Sequence, residues 1–315
     1  MRFNPKARLD TSRVGDAGRG GGGRGGGGLG GGGGRLPIPG GMAGGGGAVG
    51  IIIVVIFVAI QLFSGSGGRG LGATGGGGLD ASRFSDTGRY SACRTGADAN
   101  KSADCARVAV ENSLRDFWAD ELGGDFSPAE KIVTFEGEIG TGCGGASSSV
   151  GPFYCPSDRQ IYLDSAFFDD VLDRQLGGPS GGFVEPYVLA HEYGHHISNL
   201  IGTIGQVTGD TGPQSSGVRL ELQADCFAGM WARAATQTED ADGNVLLAEL
   251  TQADIDLALE AAAAVGDDRI QEKTTGQVQE ESWTHGSAEQ RQRWFSTGFE
   301  QGSMQACDTF GASRV

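Results

Sequence analysis

Apolar and polar positions alternate in different ways along the chain, and each pattern predicts an element. Val108, Val110, Leu114, Phe117 and Trp118 recur as one face of an amphipathic helix over Ala103–Leu122. Residues 131–139 and 160–163 alternate or concentrate apolar side chains as strands do. Asp164 or Ser165 then caps a helix through Phe167, Phe168, Val171 and Leu172. Val184, Val188, His191, Glu192 and His195 return at helical spacing, with Leu189, Ile197 and Leu200 as packing residues. Glu185 and Pro186 suit the first turn of that helix: a carboxylate meets the positive end of the dipole there, and proline's missing N–H costs nothing. The helix should stop between Asn199 and Gly202. Residues 252–265 and 289–301 complete a helical set. The pattern predicts an α+β domain over residues 79–315, mostly helical with a small sheet, and long enough for one substantial core.

The N-terminal quarter reads differently. Residues 1–47 hold 21 of the 59 glycines and almost nothing apolar to bury, which predicts a disordered tail. Residues 48–63, AVGIIIVVIFVAIQLF, carry no charge. As a helix at 1.5 Å per residue they cover about 24 Å, slightly short of the roughly 30 Å hydrocarbon core, so flanking residues or local thinning must help a span. A cleaved signal peptide, with Ser64, Gly65 and Ser66 near the cut, is the rival; the length of the preceding tail favours an uncleaved anchor. Residues 64–78 read as a glycine-rich linker.

Charge adds an orientation. The tail is basic through Arg2, Lys6, Arg8, Arg13, Arg19, Arg24 and Arg35 against Asp10 and Asp16, whereas the whole chain carries −15. Positive charge before a span predicts a cytoplasmic N-terminus and an extracytoplasmic domain, on a single-pass membrane protein. The acidic domain argues against nucleic acid as a partner. All six cysteines lie beyond residue 63, and an even number in an exported domain favours disulfides. Six cysteines allow fifteen pairings; the two short intervals suggest Cys93 with Cys105 and Cys143 with Cys155, leaving Cys226 with Cys307. Cys226 as a metal ligand is the alternative, although it points away from the face that carries Glu221.

The candidate chemistry lies in His191-Glu192-Tyr193-Gly194-His195-His196, which holds three of the chain's four histidines. Two imidazoles four residues apart on a helix stand one turn above each other and can reach one metal ion from the same face. Glu192 sits about 100° round the helix from His191, within reach of a water on that metal. Gly194 inside the helix costs about 1 kcal/mol relative to alanine, which suggests close approach by another element. A third ligand is needed, and Glu221 lies 26 residues beyond His195. Asp225, one turn further on, can accept the second N–H of a ligand histidine and fix its tautomer. A solvated acidic stripe is the bland account of Glu221 and Asp225, but both motifs occur together in the expected order.

Four segments carry a resemblance: FYCPSDRQIYLD (153–164), HEYGHHISNL (191–200), VRLELQADCFAGMWA (218–232) and THGSAEQRQRWF (284–295). In these the chain resembles the bacterial neutral zinc metallopeptidases, membrane-anchored proteins, and more broadly the gluzincins. The resemblance implies a gluzincin-like fold, Zn²⁺ held by His191, His195 and Glu221, Glu192 as general base, and a peptide or protein substrate lying along a sheet edge. Residues 131–136 are the candidate edge strand, with an ordinary core strand as the alternative. His285 is the leading candidate to stabilise the oxyanion, ahead of Tyr187, Tyr193 and Arg291, while His196 reads as a residue bonded within the fold. A non-catalytic exported domain braced by zinc is the rival function.

Overall fold

The computed structural model describes residues 1–19, 86–179 and 181–315. There are six longer helices among the described residues: α1 (Ala103–Leu122), α2 (Val184–Leu200), α4 (Gln252–Ala264) and α6 (Ala288–Gln301) follow the predicted periodicity, α3 (Ser216–Ala234) carries Glu221 and Asp225 as expected, and α5 (Asp267–Thr275) was not foreseen. Three of them start on side chains that satisfy otherwise orphaned N–H groups. Ser215 accepts from the Val218 N–H at the head of α3, and Thr251 with Asp254 and Ser287 with Gln290 form reciprocal caps for α4 and α6.

Helices α2, α3 and α6 pack at the centre. The Gly194 position in α2 lies against the backbone of Ala224 in α3; a Cβ there would fall 2.9 Å from the Ala224 Cα and carbonyl oxygen. Between α3 and α6 the approach is closer. A Cβ on Gly229 would meet the Phe295 carbonyl oxygen at 2.1 Å, and one on Gly298 the Cys226 carbonyl oxygen at 1.8 Å. Only paired glycines let the two backbones touch, and Phe227, Trp231 and Phe295 fill the space around that crossing.

The strands are β1 (Arg2–Phe3), β2 (Val14–Arg19), β3 (Lys131–Glu136), β4 (Glu138–Thr141), β5 (Gly144–Ser147), β6 (Phe153–Cys155), β7 (Gln160–Asp164) and β8 (Leu247–Glu249). The main sheet has the order β2-β3-β7-β6; β2, β3 and β7 run parallel and β6 is antiparallel. The predicted strand over 131–139 divides at Gly137, whose φ of 85° turns the chain into the β4–β5 hairpin. After Asp164 the expected capped helix is a short π-type turn, Phe168–Asp173, with the Ala166 N–H bonded to Asp164.

Two expectations are corrected. Residues 1–19 are not a disordered tail: Phe3, Ala7 and Val14 are buried in the main core, β1 pairs with β8, and β2 is an outer strand of the main sheet. Composition misled because the segment has few apolar residues, but those few are inserted among the apolar residues of the later domain. Residues 131–136 are not the sheet edge either, because β2 covers that side of β3. The outer strand on the other side is β6, packed beside α2.

All three expected disulfides, Cys93–Cys105, Cys143–Cys155 and Cys226–Cys307, are present. Among the described residues no helix is long and apolar enough to cross a membrane. The predicted anchor at 48–63, the rest of the tail and the linker at 64–78 lie outside the described residues.

Candidate metal centre

Helix α2 carries His191 and His195 on the face turned toward α3, one turn apart, and α3 brings Glu221 against both. The nitrogen and oxygen atoms these three residues offer lie within 4.8 Å of one another. His191 Nε2 is 3.2 Å from one Glu221 oxygen and His195 Nε2 is 3.4 Å from the other. Burial works against the Glu221 carboxylate, but His195 and His191 beside it hold its carboxyl well below the usual range.

The triad is held from behind. His191 Nδ1 lies 2.9 Å from Asp225 Oδ1, which fixes the tautomer that turns Nε2 toward Glu221. Asp225 is fully buried and is itself saturated with donors. The Tyr187 hydroxyl donates at 2.6 Å, and Arg291 donates from Nε at 2.8 Å and from Nη2 at 3.0 Å. Burial raises the cost of this carboxylate, but Arg291 and His191 hold its pKa down at about 2. The close α3–α6 crossing is what lets Arg291, two turns before Gly298, reach across to α3.

Glu192 is buried beside the triad, and burial pushes its carboxyl above the usual range against the pull of His195 and His191. The backbone of Tyr154 in the outer strand β6 opposes that rise, so the sheet edge adjoins this carboxylate. His285 reaches the site from the loop before α6. Its Nδ1 lies 3.2 Å from Asp267 Oδ1, and the backbone N–H groups of Thr284, His285 and Gly286 all bond to Asp267 Oδ2 at 2.7, 2.7 and 3.0 Å. Burial disfavours the His285 cation, but Asp267 and Glu221 draw its pKa up.

A sequence model of the family described as "Putative neutral zinc metallopeptidase" matches residues 4–310. The chain belongs to this family. An uncharacterized protein of Mycobacterium tuberculosis is 52% identical to it over 225 residues, which cover 71% of this chain and 76% of that relative. YpfJ of Escherichia coli, also described as uncharacterized, is 41% identical over 189 residues, 58% of this chain and 62% of its own length. No solved structure matches the chain.

The residues present suit the metal the family implies: two imidazole nitrogens and one carboxylate are a donor set that zinc takes at catalytic centres. Cys226 is not available as a further ligand, since it is bonded to Cys307. Of the weaker oxyanion candidates, Tyr187 and Arg291 are occupied with Asp225, and the Tyr193 hydroxyl is buried away from the triad, close enough to Glu111 for that carboxylate to raise its pKa. His196 bonds to the Ser127 carbonyl at 2.7 Å and to the Tyr154 hydroxyl at 3.0 Å. Sequence reasoning missed Asp267, whose partners lie eighteen residues on in the chain, and the Tyr154 backbone contact; neither leaves a local spacing signal.

Proposed function

We propose that the protein is a zinc-dependent peptidase with His191, His195 and Glu221 as ligands, acting in an oxidising compartment outside the cytoplasm. The observation that carries this reading is the convergence, among the described residues, of three protein donors beside a buried carboxylate and a sheet edge. Zinc bound by three protein ligands keeps a position for water, lowers that water's pKa toward about 7 and polarises a carbonyl. Glu192, with its carboxyl already shifted upward, takes the proton from the attacking water and delivers it to the leaving amine. An extended substrate adds to β6, whose backbone adjoins Glu192. His285, oriented by Asp267 through Nδ1, presents Nε2 to the oxyanion. The three disulfides support the choice of compartment.

The rival, a domain merely braced by zinc, calls for four protein ligands. With Cys226 in a disulfide and His285 outside the cluster of converging donors, the described residues offer three. The decisive experiment compares wild type with Glu192→Gln on a peptide library, with and without chelator. The substitution should retain metal and fold while cleavage falls by at least about 100-fold, the size of a general-base contribution. Undiminished cleavage in the variant would remove Glu192 from the mechanism, and a metal-loaded wild type that cleaves nothing would favour the bracing role.

A further inference from the structure

We propose that Tyr154 is a positioning residue: gripped through its hydroxyl by His196 and Asn199 of the metal helix, it sets where the outer strand β6 stands against Glu192 and thereby which bond of a bound peptide is cut. The proposal rests on the peptidase reading of the site and deepens it.

His196 follows His195 directly, but about 100° further round α2 it faces the sheet and is fully buried. Its Nε2 lies 2.7 Å from the Ser127 carbonyl oxygen. A carbonyl only accepts, so in the neutral ring Nε2 carries the proton and Nδ1 is left as an acceptor. The Tyr154 hydroxyl donates to that Nδ1 at 3.0 Å. With its one proton spent, the same hydroxyl accepts from Asn199 Nδ2 at 3.0 Å. Each bond therefore has one direction, Asn199 to Tyr154 to His196 to Ser127, and together they tie the end of α2 to β6 and to the segment before β3. The rings of Tyr154 and Tyr193 both stand edge-on to His196, at 5.4 and 5.5 Å between centroids, so packing keeps the imidazole from swinging to other partners.

A buried tyrosine needed for packing alone would serve as well as phenylalanine. Here the hydroxyl joins two groups of the helix that also carries His191, Glu192 and His195, and the backbone of the same residue adjoins the Glu192 carboxylate. Among the described residues the side-chain hydrogen bonds between β6 and α2 all pass through this hydroxyl. Placement matters because β6 is three residues long and flanked by prolines. Along a strand, alternate residues turn their N–H groups to the same edge. The residues two before and two after Tyr154 are Pro152 and Pro156, which have no N–H to offer. A peptide laid along this edge meets no run of donors to hold its register, so its alignment with Glu192 depends on where Tyr154 sits.

The test uses the full chain loaded with zinc and a library peptide that wild type cleaves at one principal bond. Tyr154→Phe removes the hydroxyl and keeps the ring. It should bind zinc as wild type does, with KM little changed, while kcat falls by about 10–100-fold, as for a misplacement on the ångström scale. The share of cuts at neighbouring bonds, read by mass spectrometry of the products, should rise by about tenfold; this ratio does not depend on how much of the enzyme is folded. Asn199→Ala, at a half-buried position near the end of α2, removes one of the two partners and should move both readouts the same way by less. Combined with Tyr154→Phe it should add nothing, since both act through one hydroxyl. An unchanged bond ratio in both variants, or loss of zinc in step with activity in both, would overturn the proposal and leave the peptidase reading intact. A zinc-loaded wild type that cleaves nothing in the library would remove that reading and the proposal together.

Discussion

Four polar contacts converge on Asp225, and their sum decides how firmly His191 is aimed. An amide at this position cannot offer the same two acceptors to Arg291, Tyr187 and His191, so Asp225→Asn loosens the ligand tautomer and leaves a buried guanidinium without its counter-charge. Zinc affinity should fall by about 10–100-fold, measured by competition with a chromophoric chelator, and the apo protein should lose about 3 kcal/mol in urea unfolding. Unaltered affinity would reduce Asp225 to a packing residue. Its place on the Glu221 face was legible in the sequence, because four residues are one helical turn. Arg291 and Tyr187 were legible only as weaker candidates to stabilise the oxyanion. That they face Asp225 rather than substrate depends on where α6 crosses α3, and no spacing within either helix encodes it.

That crossing is an element-scale device with a measurable cost. A methyl group on Gly298 would overlap the Cys226 carbonyl, and backbone cannot step aside as a side chain can. Gly298→Ala should therefore destabilise the protein by about 2–4 kcal/mol and shift Arg291 relative to Asp225, with a matching loss of metal affinity. Gly124→Ala, with nothing within 4 Å of the added atom, is the control and should change stability by less than about 1 kcal/mol in the same unfolding assay. Helix α1 offers a pH-dependent counterpart away from the metal. Burial lifts the Glu111 carboxyl to about 7, against Arg115 and the Asn112 amide, so the folded state holds a proton that the unfolded chain releases near 4.5. The folded protein thus binds more protons between those values, and stability falls as pH rises from about 4.5 to 7, by about 3 kcal/mol for a shift of this size. Glu111→Gln should lack that slope, so the difference in stability between wild type and variant should carry it. Long helices such as α1 were readable from periodicity. Strand β6 was not, since three residues are too few for a pattern, and VGDAGR of β2 has too little apolar alternation to stand out from its glycine-rich surroundings.

At the scale of the whole molecule, residues 1–19 complete what residues 86–315 begin. Phe3, Ala7 and Val14 fill the core, β2 covers the outer side of β3, and a basic segment meets the acidic surface of a chain whose net charge is −15. Removing the segment exposes the side of β3 that β2 covered, with its unpaired N–H and C=O groups, and such an edge invites aggregation. It also forfeits about 1.5–3 kcal/mol for each large apolar side chain withdrawn from the core, against a total stability of about 5–15 kcal/mol. Residues 86–315 alone should therefore be poorly soluble or show a lowered, broadened thermal transition. Because Thr87 already touches Asp16, a link of about six glycine and serine residues suffices to replace residues 20–85. The linked chain should regain a single cooperative transition and bind zinc as the full chain does, while adding a peptide of residues 1–19 to residues 86–315 should restore part of the lost stability in proportion to its concentration. If residues 86–315 match the linked chain in calorimetry and in metal content, β1 and β2 contribute nothing to the fold, and their pairing with β8 and β3 is incidental.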